Sequence, residues 1–266
     1  MPNLGPRPFV LASTVHGPMI VSHLDRHTIN DQTFGVGHQL LTTGIYDQDE
    51  LSVTLGILDL LRHYRAPNGE RTIRVIDGGA NIGAFTVPWA QHMTGWGYVT
   101  AIEAQPMVFY ALCGSVALNN LFNVRCVHAL ISDHNSLATH LPEVDYTAEG
   151  SLGSVPLDTA VNDSGLELRY HDFTGWVPMT HLGQWDPTPD FVKLDIEGME
   201  AQALTSVTTL MLLIKPIFCI EHLKSDKDAL VKLLTSWGYT TFMDSKNIWG
   251  MHKDDPIIKH INIKEG

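Results

Sequence analysis

The sequence predicts an α/β fold: a seven-stranded, mostly parallel sheet that ends in an antiparallel hairpin and carries an N-terminal cap. Three observations predict it. Short apolar runs alternate with helical segments from residue 72 to residue 237, as in a parallel sheet covered on both faces. A glycine-rich turn follows the first of these runs, where such sheets bind ligands. With 266 residues, 44% hydrophobic and 17% charged, the chain can build one such core.

Residues 1–70 read as the cap or N-terminal extension. It starts Pro-rich, continues in two short strands (Met19-Ile20-Val21-Ser22 among them) and closes with a helix from near Asp47 to Tyr64. Asp49 and Glu50 in its first turn favour the helix dipole. Residues 71–266 read as the main domain. Thr72 to Asp77 is a strand, Gly78 to Gly83 the turn, and Ala84 to His92 a helix. Tyr98 to Glu103 is the second strand, and Pro106 opens the next helix, to about Asn119. Asn123 to Ile131, Phe191 to Asp195 and Pro216 to Glu221 are strands three to five, and Met199–Leu213 and Asp226–Trp237 are helices. Tyr239 to Met243 and Ile257 to Ile263 read as the closing hairpin. Residues 132–190 show little helical periodicity, and so long a connection reads as hairpins and loops at a substrate mouth.

Lys+Arg number 17 and Asp+Glu 29, a net charge of −12, which opposes binding to a phosphate backbone and argues against nucleic acid as a partner. Cys113, Cys126 and Cys219 show no paired spacing and read as reduced thiols. The longest apolar stretch, Leu204 to Ile220, is broken by Lys215 and Pro216, so no membrane span is expected. The start, Met1 to Pro8, lacks the pattern of a signal peptide, and a cytoplasmic location is the expectation. A homo-oligomer is compatible with the sequence, which leaves the oligomeric state open.

The strongest constellation is Asp77-Gly78-Gly79-Ala80-Asn81-Ile82-Gly83 with Glu103 at the end of the next strand. Glycines let the backbone turn sharply and approach a ligand closely. An acid in the place of Glu103 suits a ribose diol. The glycines do not match G-x-G-x-x-G, and Asp77 would repel a pyrophosphate while attracting a cation. S-adenosylmethionine, with its ammonium and sulfonium, fits these acids better than NAD. No Gly-Lys-Ser/Thr occurs here, which excludes a Walker-type loop.

Val75 to Gly83 resembles the first motif of the FkbM-type S-adenosylmethionine-dependent methyltransferases, and Ala101-Ile102-Glu103-Ala104-Gln105-Pro106 resembles their second-strand motif. Asn119, Asn120 and Asn123-Val124 resemble the approach to strand three, Phe191 to Glu200 the most distinctive stretch, and Ile220-Glu221-His222 the end of strand five. Tyr46 to Glu50 resembles the acidic helix start that precedes the first motif. The resemblance spans roughly residues 72–243. Thr180-His181-Leu182 departs from it where members carry Thr-Leu-Asp, and residues 133–189 match poorly. The resemblance implies a class I methyltransferase (Rossmann-like) fold and methyl transfer to a hydroxyl of a sugar, glycan or natural product. It implies cofactor contacts at Asp77, Gly78, Gly79, Asn81, Gly83, Glu103, Ala104 and Asp195.

An alcohol acceptor is weakly acidic, so a general base or a metal helps the transfer. Asp195 and Glu197, two apart in an extended segment, can face one cavity. Glu200 suits the start of a helix. Glu221 and His222 are adjacent, so only one is expected to enter the cavity. Asp195, Glu197 and His222 are the candidates for orienting the acceptor and removing its proton, His222 through its near-neutral pKa. If a divalent ion such as Mg²⁺ takes part, Asp195, Glu221 and His222 are its candidate ligands. The other histidines form no H-E-x-x-H motif. His171, Asp172 and Trp176 are candidates for an acceptor pocket, since Trp faces stack on sugar rings. The alternatives are a carboxylate or N-methyltransferase, an NAD-dependent oxidoreductase, and a non-catalytic cofactor-binding protein.

Overall fold

The structure is a computed structural model that describes residues 7–133, 138–156, 163–169 and 176–260. The chain begins with two antiparallel hairpins, β1 (Phe9–Thr14) with β2 (Gly17–Ser22) and β3 (His27–Ile29) with β4 (Gln32–Phe34). Two helices follow, α1 (Val36–Thr43) and α2 (Gln48–Arg65). Asp47 caps α2, its side chain accepting from the Glu50 N–H. The alternation then runs β5 (Ile73–Gly78), α3 (Thr86–His92), β6 (Gly97–Glu103), α4 (Pro106–Leu118) and β7 (Val124–His128). The connecting region holds β8 (Leu130–Ile131), β9 (Ala138–His140), β10 (Glu143–Val144), β11 (Leu168–Arg169) and β12 (Trp176–Thr180). The chain continues with β13 (Phe191–Leu194), α5 (Glu200–Thr205), α6 (Thr208–Ile214), β14 (Ile217–Glu221), α7 (Lys227–Ser236), β15 (Tyr239–Met243) and β16 (Asn247–His252).

Seven strands form the main sheet in the order β15-β16-β14-β13-β5-β6-β7. Neighbours from β14 to β7 are parallel, and β16 runs antiparallel to both β14 and β15. The expected mostly parallel sheet with a terminal antiparallel hairpin is therefore present. Its second hairpin strand is Asn247–His252, not the expected 257–263. Asp244 accepts from the main-chain N–H of Lys246 and Asn247 at 2.8 and 2.7 Å and turns the chain at once, and every residue of β16 is buried. Pro256–His260 is a 3₁₀ turn, and 261–263 lie outside the described residues. The expected third strand, 123–131, divides at Ala129: β7 stays in the main sheet, and β8 pairs with β12. The expected helix 199–213 is two helices. Thr205 and Ser206 back-bond to Ala201 and Ala203 carbonyls at the break.

Alternate side chains of β5 enter different cores. Ile73 and Val75 pack with Leu58 and Leu61 of α2 and Trp89 of α3. Ile76 packs on the other face with Leu204, Met211 and Leu234 of α5, α6 and α7. Trp89 Nε1 donates to Thr54 Oγ1 at 2.9 Å, joining α3 to α2. Among the described residues, no helix is long and apolar enough to cross a membrane.

The N-terminal elements and the connecting region are stitched together. Arg26 N–H donates to the Gly150 carbonyl and Gly150 N–H to the Leu24 carbonyl, both at 3.1 Å. Between them lies Asp25, only 2% exposed, whose carboxylate accepts from Gly37 N–H at 2.7 Å and Leu152 N–H at 2.8 Å. Hydrogen bonds to a charged group contribute about 1.5–3 kcal/mol each, and the burial that raises this carboxyl's pKa offsets part of that. Asp25→Ala is expected to lower unfolding free energy by about 2–4 kcal/mol, read from urea denaturation midpoints.

Candidate functional site

The chain proceeds outward in opposite directions from β5 and β13, which makes the crevice at their carboxyl ends the topological switch point of the sheet. A cavity of ≈ 600 Å³ opens there, within the range of about 300–1,000 Å³ usual for small-molecule sites. The loop after β5 and the ends of β6, β13 and β14 line one side; residues 33–47 and 151–155 contribute the other.

The glycine loop is pressed against the end of β13. Gly79 has φ 79°, and a Cβ there would lie 1.8 Å from the Asp195 carbonyl oxygen. Asp195 N–H donates to the Gly78 carbonyl at 3.0 Å, so the first and fourth parallel strands meet at the loop. Asn81, at φ 49°, donates its N–H to Glu103 Oε2 at 2.9 Å, and Gln105 N–H donates to Glu103 Oε1 at 2.8 Å. Loop and acid are thus one unit. Burial pushes the Glu103 carboxyl up to about 7, against the pull of these main-chain donors. Asp77, Gly79, Asn81, Glu103, Ala104 and Asp195 all line the cavity. Gly78 and Gly83 are not in its wall: Gly78 ends β5, and Gly83, at φ 93°, packs against Leu112.

Asp77 is buried and accepts from the Thr86 hydroxyl at 2.5 Å. Burial raises its pKa, with Lys193 and Thr86 acting in the other direction. Lys193 is paired in register with Asp77, is 3% exposed, and donates from Nζ to Asp195 Oδ2 at 2.9 Å. Nζ also lies 5.0 Å from the centre of the Phe85 ring. Burial disfavours this ammonium, but Asp195, Glu50 and Asp77 outweigh that and hold its pKa well above the usual value. Reading the sequence by motif passed over Lys193 as a site residue. Its signal was a lone charge in the apolar run Phe191-Val192-Lys193-Leu194, all four buried.

Glu200 builds the turn after β13. Its carboxylate accepts from Ile196 N–H at 2.8 Å, Gly198 N–H at 3.1 Å and the Ser225 hydroxyl. Glu197, at φ 59°, turns back to an ion pair with Lys224 at 2.6 Å. Burial and Asp195 push Glu197 up to about 8. Glu221 lines the cavity, and burial, then Asp195 and Glu197, push it up to about 9.

His222 is not in the cavity wall; its Nε2 faces the Asp244 carbonyl at 3.5 Å. Adjacent strand residues point oppositely, so Glu221 takes the inward position and the expectation for His222 is corrected. Among the described residues, no three His, Cys, Asp or Glu side chains converge as a metal-binding set, so Asp195, Glu221 and His222 do not assemble as one. Trp176 packs on His140 with the rings tilted by 50° and their centres 4.0 Å apart, and is not in the cavity wall, a correction to its expected role. His171 and Asp172 lie outside the described residues. Gln105 was also missed. It is 9% exposed, lines the cavity, and donates from Nε2 to the Leu152 carbonyl at 2.7 Å, while its Oε1 has no partner among the described residues.

Glu103, Glu197 and Glu221 each have a folded pKa above the unfolded value, so their contribution to stability is full below about 4.5 and is lost as pH rises through the folded value. Glu103, Glu197 and Glu221 place that loss between pH 4.5 and about 9. The thermal midpoint of the ligand-free protein is expected to fall from pH 6 to pH 9, and Glu221→Gln to flatten the fall above pH 7, followed by calorimetry in buffers matched for ionic strength.

Residues 77–241, well over half of the chain, match the family profile described as the methyltransferase FkbM domain. No protein of curated function matches. Among solved structures, the methyltransferase FkbM from Methylobacillus flagellatus KT is similar at 16% identity and TM-score 0.43, over 67% of this chain and 43% of that one. The precorrin-6y C5,15-methyltransferase from Geobacter metallireducens GS-15 is similar at 15% identity and TM-score 0.43, over 79% of this chain and 92% of that one. The magnesium protoporphyrin IX methyltransferase from Synechocystis PCC 6803, solved with bound SAM, is similar at 10% identity and TM-score 0.41, over 77% and 79%. This chain spans less than half the length of the first of these.

Proposed function

Since the chain belongs to the FkbM methyltransferases, a family of S-adenosylmethionine-dependent enzymes, we propose that the cavity at the ends of β5 and β13 binds S-adenosylmethionine and serves methyl transfer to a hydroxyl of a sugar, glycan or natural product. Two buried acceptors beside the glycine loop carry this reading: the Glu103 carboxylate and the unpartnered Gln105 Oε1. Both suit the donors of an adenosine, namely its ribose hydroxyls and exocyclic amine. Gly79 keeps the loop free of a side chain at its closest approach to Asp195. The acids on this side of the cavity (Asp77, Asp195, Glu197 and Glu221) suit a sulfonium and oppose the pyrophosphate of NAD.

When bound, the cofactor supplies the activated methyl carbon. The chain's own residues align the partners and receive the proton. Lys193 holds Asp195 in place at the end of β13. Glu197 and Glu221, raised to about 8 and about 9, accept a hydroxyl proton only in their ionised form, so they serve as bases on the alkaline side of neutrality. Both line the cavity together with residues of α1.

Calorimetric titration tests the cofactor assignment. S-adenosylhomocysteine is expected to bind in the micromolar range, with or without Mg²⁺, and NAD to give no heat. Glu103→Ala is expected to weaken S-adenosylhomocysteine about tenfold or more, the loss of charge-assisted hydrogen bonds to two hydroxyls. Unchanged affinity in that variant would remove the ribose assignment, and binding of NAD instead would overturn the whole reading.

A further inference from the structure

Resting on that reading, we infer that the acceptor is a neutral, hydroxyl-rich ring, recognised by Phe34 and the cavity-facing residues of α1, and that acidic rings are rejected. The residues concerned lie outside the family match, in the part of the chain that covers the cavity. Phe34 ends β4, is 50% exposed and lines the cavity, so it offers a flat apolar face. The CH face of a pyranose packs on such a ring. His38, Gln39, Thr42 and Thr43 follow within the next turns and line the same wall.

The hydrogen-bonding capacity of that wall is biased towards acceptors. The Thr42 hydroxyl donates to the His38 carbonyl at 2.8 Å, and the Thr43 hydroxyl to the Gln39 carbonyl at 2.8 Å. Their protons are spent on main-chain carbonyls; the Thr42 oxygen is left to accept, while that of Thr43 already takes the Ile45 N–H at 3.3 Å. The side-chain amide of Gln39 has no hydrogen-bond partner among the described residues and can complete one bidentate contact. Asp195, Glu197 and Glu221 line the same cavity and add carboxyl oxygens. Hydroxyl groups, which both donate and accept, suit such a lining.

Charge excludes the anionic alternative. Two lysines line the cavity among the described residues, and both are engaged: Lys193 by Asp195, and Lys246 by Asp47. A carboxylate or phosphate on the acceptor would therefore find no free lysine in a wall where Asp47, Asp77, Glu103, Asp195, Glu197 and Glu221 outnumber Lys193 and Lys246. The same argument disfavours methylation of a carboxylate in this cavity.

The test is saturation-transfer NMR on the full chain with S-adenosylhomocysteine present. The probes are the methyl glycosides of glucose, galactose and rhamnose and the methyl glycoside of glucuronic acid. At least one neutral pyranoside is expected to bind and the glucuronide not to. Phe34→Ala is expected to weaken the neutral ring about tenfold while S-adenosylhomocysteine affinity, measured in parallel, is unchanged. Gln39→Arg is expected to admit the glucuronide. The inference is overturned by three results: equal or tighter binding of the glucuronide to the unaltered protein, no effect of Phe34→Ala, or S-adenosylhomocysteine binding with no pyranoside bound. Failure of S-adenosylhomocysteine itself to bind is a failure of the cofactor assignment and is seen separately.

Discussion

The ammonium of Lys193 is the charge around which the cavity is organised. It sits on a central strand, almost wholly removed from water, and stays protonated because Asp195, Glu50 and Asp77 surround it. Those three acids come from the turn after β13, from α2 and from the end of β5. Remove the ammonium, and three carboxylates in a dry site would repel one another. Losing one partner of a buried pair typically costs about 3–5 kcal/mol. The ion cluster therefore does two things at once. It lets acids sit at the carboxyl ends of apolar strands, and it ties the N-terminal helix α2 to the sheet through Glu50.

A second constraint is steric. The loop after β5 and the turn after β13 touch backbone to backbone, and only a residue without Cβ fits at Gly79. Glu200 holds the facing turn by three donors, so the two halves of the crevice have little freedom to separate. Glu103 completes the unit by taking the N–H of Asn81 from the loop and that of Gln105 from the start of α4. A site held by short main-chain hydrogen bonds is preorganised, and its polar groups need little rearrangement when a ligand enters.

The other side of the cavity is built differently. It comes from the first 50 residues and from residues 151–155, joined by the buried carboxylate of Asp25. These segments are rich in Thr, Gln, His and Gly rather than acids. The N-terminal part of this side lies outside the family match, which begins at residue 77, while residues 151–155 lie within it.

Local pattern was enough to read the alternation of strands and helices, the glycine turn, and the acid at the end of the next strand. Each is written within a dozen residues, in the period of apolar side chains or in a turn that only glycine permits. The start of α2 near Asp47 was legible for the same reason. What the tertiary structure decided depends on distance across the fold. Whether Glu221 or His222 faces inward follows from the pairing of β14 between β13 and β16, which no single strand reveals. The closing hairpin moved to Asn247–His252 because a tight turn at Asp244 competes with a longer loop, and burial of the whole strand settles that competition. The raised pKa values of Glu197 and Glu221 exist only because burial and neighbouring acids act together. The sequence by itself determined which elements form and where a ligand site lies; the packing of residues 33–47 and 151–155 over that site, distant along the chain from the residues they face, decided what shape and charge a ligand meets.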